Sequence, residues 1–138
     1  MKISARMDNG EGQHHVTLTT NEVSHSIVIP PKTTGFGSSA NGGELLFLAL
    51  ATCYCNDLYR EAAKRNIEVE KVEVEVSGDF GAEGEGAKNV TYSAKVHAKG
   101  TEEEIRALME YTDTVTEIQN TLRAGVHVKL NEIEIKVS

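Results

Sequence analysis

Short stretches rich in Val, Ile and Thr occupy the N-terminal part of the chain and alternate with turn-forming residues. They run from Lys2 to Arg6, from His15 to Thr19 and from Val23 to Ile29. The clusters Asp8-Asn9-Gly10 and Asn21-Glu22 between them are typical of turns. Because β-branched residues favour strands, the pattern predicts a three-stranded antiparallel meander.

A long stretch with helical periodicity follows a break at Pro30-Pro31. We expect the helix to begin at about Asn41, whose side chain can cap it while Glu44 reaches back in a capping box. The pattern continues to about Asn66, which gives roughly 25 residues and a length of about 37 Å. A helix of this length can cross a small domain.

The next segment alternates strictly between apolar and charged positions. Val72, Val74 and Val76 alternate with charged residues, which predicts a strand with one buried and one solvated face. A glycine-rich, acidic turn region then leads into a second alternating stretch from Val90 to Ala98. The two stretches together predict a β-hairpin.

Two shorter helices and a last strand are predicted in the C-terminal third of the chain. Thr101 opens the first of these helices with acidic residues in its first turn. The next is predicted from Thr116 to Leu122, with Gly125 ending it. Apolar residues then alternate over residues 126–137, and a change of phase near Asn131 indicates a bulge in a final strand.

The order of these elements favours the α+β class. Three strands, a long helix, two strands, two helices and a strand lack the regular alternation of strand and helix that builds a parallel sheet. A chain of 138 residues with 39% hydrophobic content is long enough for one sizeable core. We therefore expect a single domain over residues 1–138 with antiparallel sheets.

Charge and composition exclude several classes of protein. The formal net charge of −7 and the absence of a basic patch argue against a nucleic-acid partner. No apolar stretch approaches the roughly 20 residues that cross a bilayer, and no leader pattern is seen, so we expect no membrane partner. Two closely spaced cysteines provide no disulfide framework. A cytoplasmic location is the expectation.

The two cysteines, Cys53 and Cys55, are the most informative residues for chemistry. Residues two apart on a helix point roughly 200° away from each other, so these thiols cannot form a disulfide while the helix stands. Cys55 shares a stripe with Leu48, Leu58 and other apolar residues, and we expect it to be a small core residue. Cys53 shares its face with polar residues, Asn56, Asp57 and Arg60, and is the better candidate to meet solvent.

A reactive Cys53 needs a neighbouring cation. An unperturbed thiol of pKa about 8.5 is mostly protonated near pH 7, whereas the thiolate is the nucleophile. The dipole of the long helix does not help, since Cys53 lies about three turns from its start. From the residues alone, Cys53 is either an inert core position or a redox site with a cation beside it.

No cofactor or metal site is predicted from the motifs. Residues 35–40 formally match a dinucleotide-binding pattern, but they follow a Pro-Pro break and a meander rather than opening a βαβ unit. His14, His15 and His25 could be combined with the cysteines, yet no known Cys/His zinc spacing is present. We expect these histidines to be exposed strand residues.

The segment that contains Cys53 resembles a motif of a known family. Residues 44–53 read ELLFLALATC and are followed by a long helix and the alternating strand at Val72. This is similar to the OsmC/Ohr family of peroxide-detoxifying proteins, whose motif reads approximately P-x-E-L-L-L-A-A-L-A-A-C. The resemblance implies an OsmC-like fold with sheets wrapped around a central helix. It also implies a swapped homodimer with active sites at the subunit interface, and reduction of organic hydroperoxides by a cysteine pair.

The family's functional residues carry over by position in part. Cys53 matches the peroxidatic cysteine, which attacks the peroxide as a thiolate and becomes a sulfenic acid. Arg6 is the best match for the activating arginine because it is the only arginine in the N-terminal strands. Glu44 matches the glutamate of the OsmC-like branch, although its position leaves a capping role equally open.

The chain departs from the family at the second cysteine. The resolving motif is matched by residues 116–122, which places Thr116 where that cysteine should stand. The motif's proline is also missing before Glu44. The resemblance then implies a one-cysteine thiol peroxidase in which an external thiol reductant resolves Cys53. Two alternatives stay open: a non-catalytic dimer that binds a small apolar ligand, and a thiol sensor in which Cys53 forms mixed disulfides.

Overall fold

The computed structural model describes residues 1–138, which form two compact units. The first unit comprises Met1–Leu46 and the second comprises Phe47–Ser138. The architecture is α+β with antiparallel sheets, as the order of elements predicts. No helix in the chain is both long enough and apolar enough to span a membrane.

The first unit contains the predicted meander. Strands β1 (Ile3–Gly10), β2 (Gln13–Thr20) and β3 (Val23–Ile27) form one antiparallel sheet in that order. Strand β1 extends through the residues predicted as the first turn, and the chain instead reverses at Glu11 and Gly12. Gly12 has a φ of 69°, a left-handed conformation that costs glycine little.

The long helix α1 spans Gly42–Lys64 and begins with the predicted capping box. The Glu44 backbone N–H donates to Oδ1 of Asn41 at 2.8 Å, and the Asn41 backbone N–H donates to Oε1 of Glu44 at 2.9 Å. These bonds satisfy two N–H groups that a helix start leaves unpaired. The helix ends just before Asn66, whose φ of 55° turns the chain out of the helical path.

The second unit contains the predicted hairpin and both short helices. Strands β4 (Val69–Asp79) and β5 (Lys88–Ala98) pair antiparallel. Helix α2 (Glu102–Val115) starts with a complete capping box at Thr101. Helix α3 (Glu117–Ala124) has Thr116 as its N-cap and ends at Gly125, as the sequence predicts.

The core of the second unit lies between α1, α2 and the inner face of the hairpin. Its buried members are Tyr54, Leu58, Ala62 and Leu108. The apolar side chains on one face of the hairpin pack against them. The predicted buried stripe of α1, which included Leu48 and Cys55 as well as Leu58, is therefore wrong in part. Burial follows a spacing of four residues along α1, which leaves Cys55 beside the buried stripe and half-buried.

The predicted final strand over residues 126–137 is not formed. A strand needs a neighbour for its backbone hydrogen bonds, and neither sheet pairs with this segment. Its apolar side chains are consequently exposed in the single chain: Val126, Val128, Leu130, Ile133, Ile135 and Val137.

Candidate functional site

Cys53 lies in the middle of α1 and carries a free, half-buried thiol. Asp57 follows it by four residues, and side chains at this spacing lie on one face of a helix. The thiol donates to Oδ2 of Asp57 across 3.5 Å. Asp57 is only 7% exposed, so an acidic side chain is buried directly beside the sulfur.

A second carboxyl group reaches the same sulfur from α3. Glu117 is the first residue of that helix, and its Oε2 lies 3.6 Å from the Cys53 sulfur. Thr116 precedes it, is fully buried and donates from its hydroxyl to the Asp113 carbonyl at 3.0 Å. The position expected for a resolving cysteine thus anchors the start of α3 and helps to place Glu117.

Arg60 is the cation of this cluster, and it binds the carboxyl groups on the side away from the sulfur. Its Nη1 donates to Oδ1 of Asp57 at 3.0 Å and to Oε1 of Glu117 at 3.5 Å. Its Nε donates to Glu61 at 3.3 Å. Helical spacing places Arg60 on the same face of α1 as Cys53. In the structure its guanidinium binds the carboxyl groups of Asp57 and Glu117 instead of the sulfur.

The electrostatic setting keeps Cys53 protonated. Burial raises the pKa of the thiol, and the nearby charges of Asp57 and Glu117 raise it further. The backbone N–H of Ile118, in the first turn of α3, opposes these effects by bonding to the sulfur. In the single chain the thiol form is therefore favoured.

The two carboxyl groups differ in their own protonation. Burial and a hydrogen bond with Glu117 raise the pKa of Asp57. The backbone N–H of Glu117 and the hydrogen bond with Asp57 lower the pKa of the Glu117 carboxyl. Of the two carboxyl groups, Asp57 is therefore the first to take up a proton as the pH falls. The cluster can thus pass a proton between the sulfur and Asp57, and its thiol and two carboxyl groups can also serve as metal ligands.

The other predicted site residues lie in the first unit. Arg6 is exposed on β1, opposite Thr17 of β2, and forms no ion pair within that unit. Glu44 is exposed in the first turn of α1, where it completes the capping box with Asn41. The capping role predicted for Glu44 is confirmed, whereas catalytic roles for Arg6 and Glu44 remain predictions.

Cys55 occupies a different environment from Cys53. It lines a shallow depression of about 290 Å³ together with Val72, Val74 and residues of α1. Neither a carboxyl group nor a guanidinium contacts its sulfur. Of the two thiols, only Cys53 lies among ionisable groups.

A larger cavity of the second unit lies elsewhere. It measures about 910 Å³ and is lined by one face of α2 and by β5, with Tyr54 and Tyr92 in its wall. The Tyr92 hydroxyl donates to the carboxylate of Asp113, which Arg123 also binds at 2.7 Å. Burial raises the pKa of Tyr54 to about 12.

Glu117 is a site residue that the sequence pattern does not predict. It stands 64 positions after Cys53, so no local spacing connects them. A signal was nevertheless present, because Glu117 directly follows the position matched to the resolving cysteine. A residue beside that position is expected near the attacking sulfur.

Solved structures with a similar fold come from several bacteria. An OsmC-like protein of Mycoplasma pneumoniae has a TM-score of 0.62 at 20% identity, covering 90% of this chain and 87% of its own. An organic hydroperoxide resistance protein OsmC of Legionella pneumophila, also described as a predicted redox protein, has a TM-score of 0.56 at 24% identity, covering 94% of both chains. The organic hydroperoxide resistance protein OhrB of Bacillus subtilis has a TM-score of 0.51 at 25% identity, covering 93% of both.

The family assignment rests on the sequence itself. No curated protein matches the chain. The family described as OsmC-like protein matches residues 35–131, which is more than half of the chain and includes α1, the hairpin and both short helices. The chain belongs to the OsmC-like family.

Proposed function

We propose that this protein reduces organic hydroperoxides through Cys53, with an external thiol as the reductant. The observation that carries the proposal is the placement of Cys53. Its half-buried sulfur lies among ionisable side chains from two helices and accepts a bond from the Ile118 backbone N–H, whereas Cys55 lies against apolar residues. Similar solved proteins are named for hydroperoxide resistance, which supports the same chemistry.

The reaction begins when the Cys53 thiolate attacks the terminal oxygen of the hydroperoxide. An S–O bond forms, the O–O bond breaks, and Cys53 becomes a sulfenic acid while the leaving alkoxide takes a proton to give the alcohol. Asp57 is the nearest group that can supply this proton, since its Oδ2 lies 3.5 Å from the sulfur. The cysteine is oxidised and the peroxide is reduced by two electrons.

Recovery of Cys53 needs thiols from outside the chain. Thr116 stands at the resolving position and cannot form a disulfide. A first external thiol attacks the sulfenic sulfur and releases water, leaving a mixed disulfide. A second external thiol then attacks this disulfide and restores Cys53. A cytoplasmic location, where reducing thiols are abundant, belongs to the same proposal.

The proposal includes a homodimer in which the catalytic site is completed across the interface. In the single chain the sulfur faces two carboxyl groups, and Arg60 binds their far oxygens. A further cation is needed to favour the thiolate. Arg6 is exposed and free of ion pairs in its unit, and we assign it that role, with Glu44 holding its guanidinium. The exposed apolar side chains of residues 126–137 support a second copy as their partner.

One observation favours a second candidate, a thiol sensor or ligand-binding dimer without peroxidase turnover. The pKa of Cys53 is raised by burial and by Asp57 and Glu117, which opposes thiolate chemistry. Consumption of an organic hydroperoxide by the purified protein and a thiol reductant distinguishes the two. Turnover that requires Cys53 supports the peroxidase, whereas no turnover with Cys53 recovered as a mixed disulfide supports the sensor.

A further inference from the structure

Three side chains with metal-binding atoms converge at one point of the second unit. Cys53 and Asp57 come from α1, and Glu117 comes from the start of α3. One donor atom from each lies within 4.8 Å of the other two. Two helices therefore bring a sulfur and two carboxyl oxygens to face one another.

Two of the three distances between these donor atoms match the edges of a tetrahedral zinc site. Bond lengths of about 2.3 Å for Zn–S and about 2.0 Å for Zn–O, with tetrahedral angles, place sulfur and oxygen about 3.5 Å apart. The Cys53 sulfur lies 3.5 Å from Oδ2 of Asp57 and 3.6 Å from Oε2 of Glu117. Both sulfur–oxygen edges thus have the required length without movement of either helix.

The guanidinium of Arg60 does not bind the carboxyl oxygens that face the sulfur. Arg60 binds Oδ1 of Asp57 and Oε1 of Glu117, the oxygens on the far side. Oδ2 of Asp57, on a side chain 90% buried, accepts the hydrogen bond from the Cys53 thiol. When the thiol proton is lost, a bound cation can take its place between this buried oxygen and the sulfur. The Arg60 contacts also fix the carboxyl groups, as outer hydrogen bonds do around metal ligands.

The donor set selects the class of metal. A thiolate favours borderline and soft ions over Mg²⁺ and Ca²⁺, which prefer oxygen ligands alone. Thiolate and carboxylate ligands are both usual for Zn²⁺, and three protein ligands leave its fourth position open to water. The Cys/His spacing rules do not detect this set because Glu117 lies on another helix.

We propose that Cys53, Asp57 and Glu117 bind one Zn²⁺ ion. On binding, the S–H bond of Cys53 breaks, a Zn–S bond forms and the proton passes to solvent. One consequence rests on the proposed function: a sulfur bound to zinc cannot attack a peroxide, so zinc and hydroperoxide compete for Cys53. The metal site itself does not depend on peroxidase activity.

Cobalt titration of reduced, chelator-treated protein tests the site, since Co²⁺ replaces Zn²⁺ and gives a near-ultraviolet sulfur-to-cobalt charge-transfer band. We expect the band to saturate at one Co²⁺ per chain in the wild type and in Cys55→Ser, and Zn²⁺ to abolish it. Cys53→Ser loses the band, and Asp57→Asn and Glu117→Gln each weaken Co²⁺ binding more than tenfold.

The proposal is overturned if the wild type gives no band, if Cys53→Ser retains it, if Cys55→Ser loses it, or if both carboxyl variants bind as the wild type does. Circular dichroism of each variant checks that the fold is kept. Because no peroxide is present in the titration, a negative result leaves the proposed function intact. Absence of peroxidase turnover likewise leaves the metal site standing.

Discussion

The sulfur of Cys53 and the carboxyl of Asp57 face each other one helical turn apart on α1, with 3.5 Å between Sγ and Oδ2. The nearest ionisable group to the candidate nucleophile is thus an acid. Burial, Asp57 and Glu117 together raise the pKa of the thiol, with only the Ile118 backbone N–H opposing them. The reactivity of Cys53 therefore depends on how these carboxyl groups are neutralised.

Replacing Asp57 by Asn is expected to make Cys53 react at lower pH. The neutral amide removes a charge and a hydrogen-bond acceptor that favour the thiol form, so the pKa of Cys53 falls. The rate of alkylation, measured against pH in a Cys55→Ser background with a chelator present, should have its midpoint at lower pH in Asp57→Asn. An unchanged midpoint, or one at higher pH, would contradict the role given to Asp57.

Protonation of Asp113 is expected to lower the free energy of unfolding at acidic pH. Although burial acts in the opposite direction, hydrogen bonds from Tyr92 and Arg123 lower the pKa of the Asp113 carboxyl below its ordinary value. Its stabilising contribution is therefore present above the unfolded-state pKa of about 3.9 and is lost as pH falls through the lower folded-state value. Urea unfolding should find Asp113→Asn less stable than the wild type at neutral pH and nearly equal to it at about pH 2.

The exposed acid Glu83 supplies the control for this comparison. It forms no salt bridge or side-chain hydrogen bond in the structure, so Glu83→Gln should leave the pH dependence of unfolding unchanged. If Asp113→Asn and Glu83→Gln changed the pH dependence of unfolding equally, the contacts of Tyr92 and Arg123 with Asp113 would not be the cause of the loss of stability in acid.

Leu58 is expected to carry a large share of the packing energy in the second unit. It is completely buried between Tyr54, Ala62 and Leu108. Leu58→Ala removes buried methyl groups and leaves a cavity, which costs about 2 to 5 kcal/mol. Leu122→Ala, at a position 44% exposed on α3, should cost much less. Denaturant unfolding measures both, and equal losses would refute the assignment of the core.

Much of the fold could be predicted from local patterns, and the exceptions have physical causes. The capping box at Asn41 and Glu44 depends on residues three positions apart, and it forms as predicted. The strand predicted over residues 126–137 requires a partner outside its own segment, and the single chain provides none. Local alternation therefore indicated where apolar residues lie, but not what covers them.

The candidate site was predictable only in part for a related reason. Cys53, Asp57 and Arg60 share a helix face, so their proximity follows from helical spacing. Glu117 reaches the sulfur through the packing of α3 on the core, which no spacing in the sequence encodes. A reactive Cys53 requires a cation beside it, whereas tertiary packing adds a second acid.

Residues 126–137 are expected to contribute to the proposed homodimer. In a strand, Ile133 and Ile135 lie on one face, while Glu132 and Glu134 lie on the other. Sedimentation velocity should find the wild type and Glu132→Gln/Glu134→Gln as dimers, and Ile133→Lys/Ile135→Lys shifted toward monomer. A wild-type monomer at micromolar concentration would refute the dimer, and a stable dimer of the lysine variant would remove this segment from its interface.

The most direct test of the account is stopped-flow measurement of organic hydroperoxide consumption by reduced protein with a dithiol reductant and a chelator. Turnover is expected from the wild type and from Cys55→Ser, and none is expected from Cys53→Ser beyond the rate of reductant alone. Equal peroxide consumption by all three proteins, or none by the wild type, would contradict the claim that Cys53 is a peroxidatic cysteine.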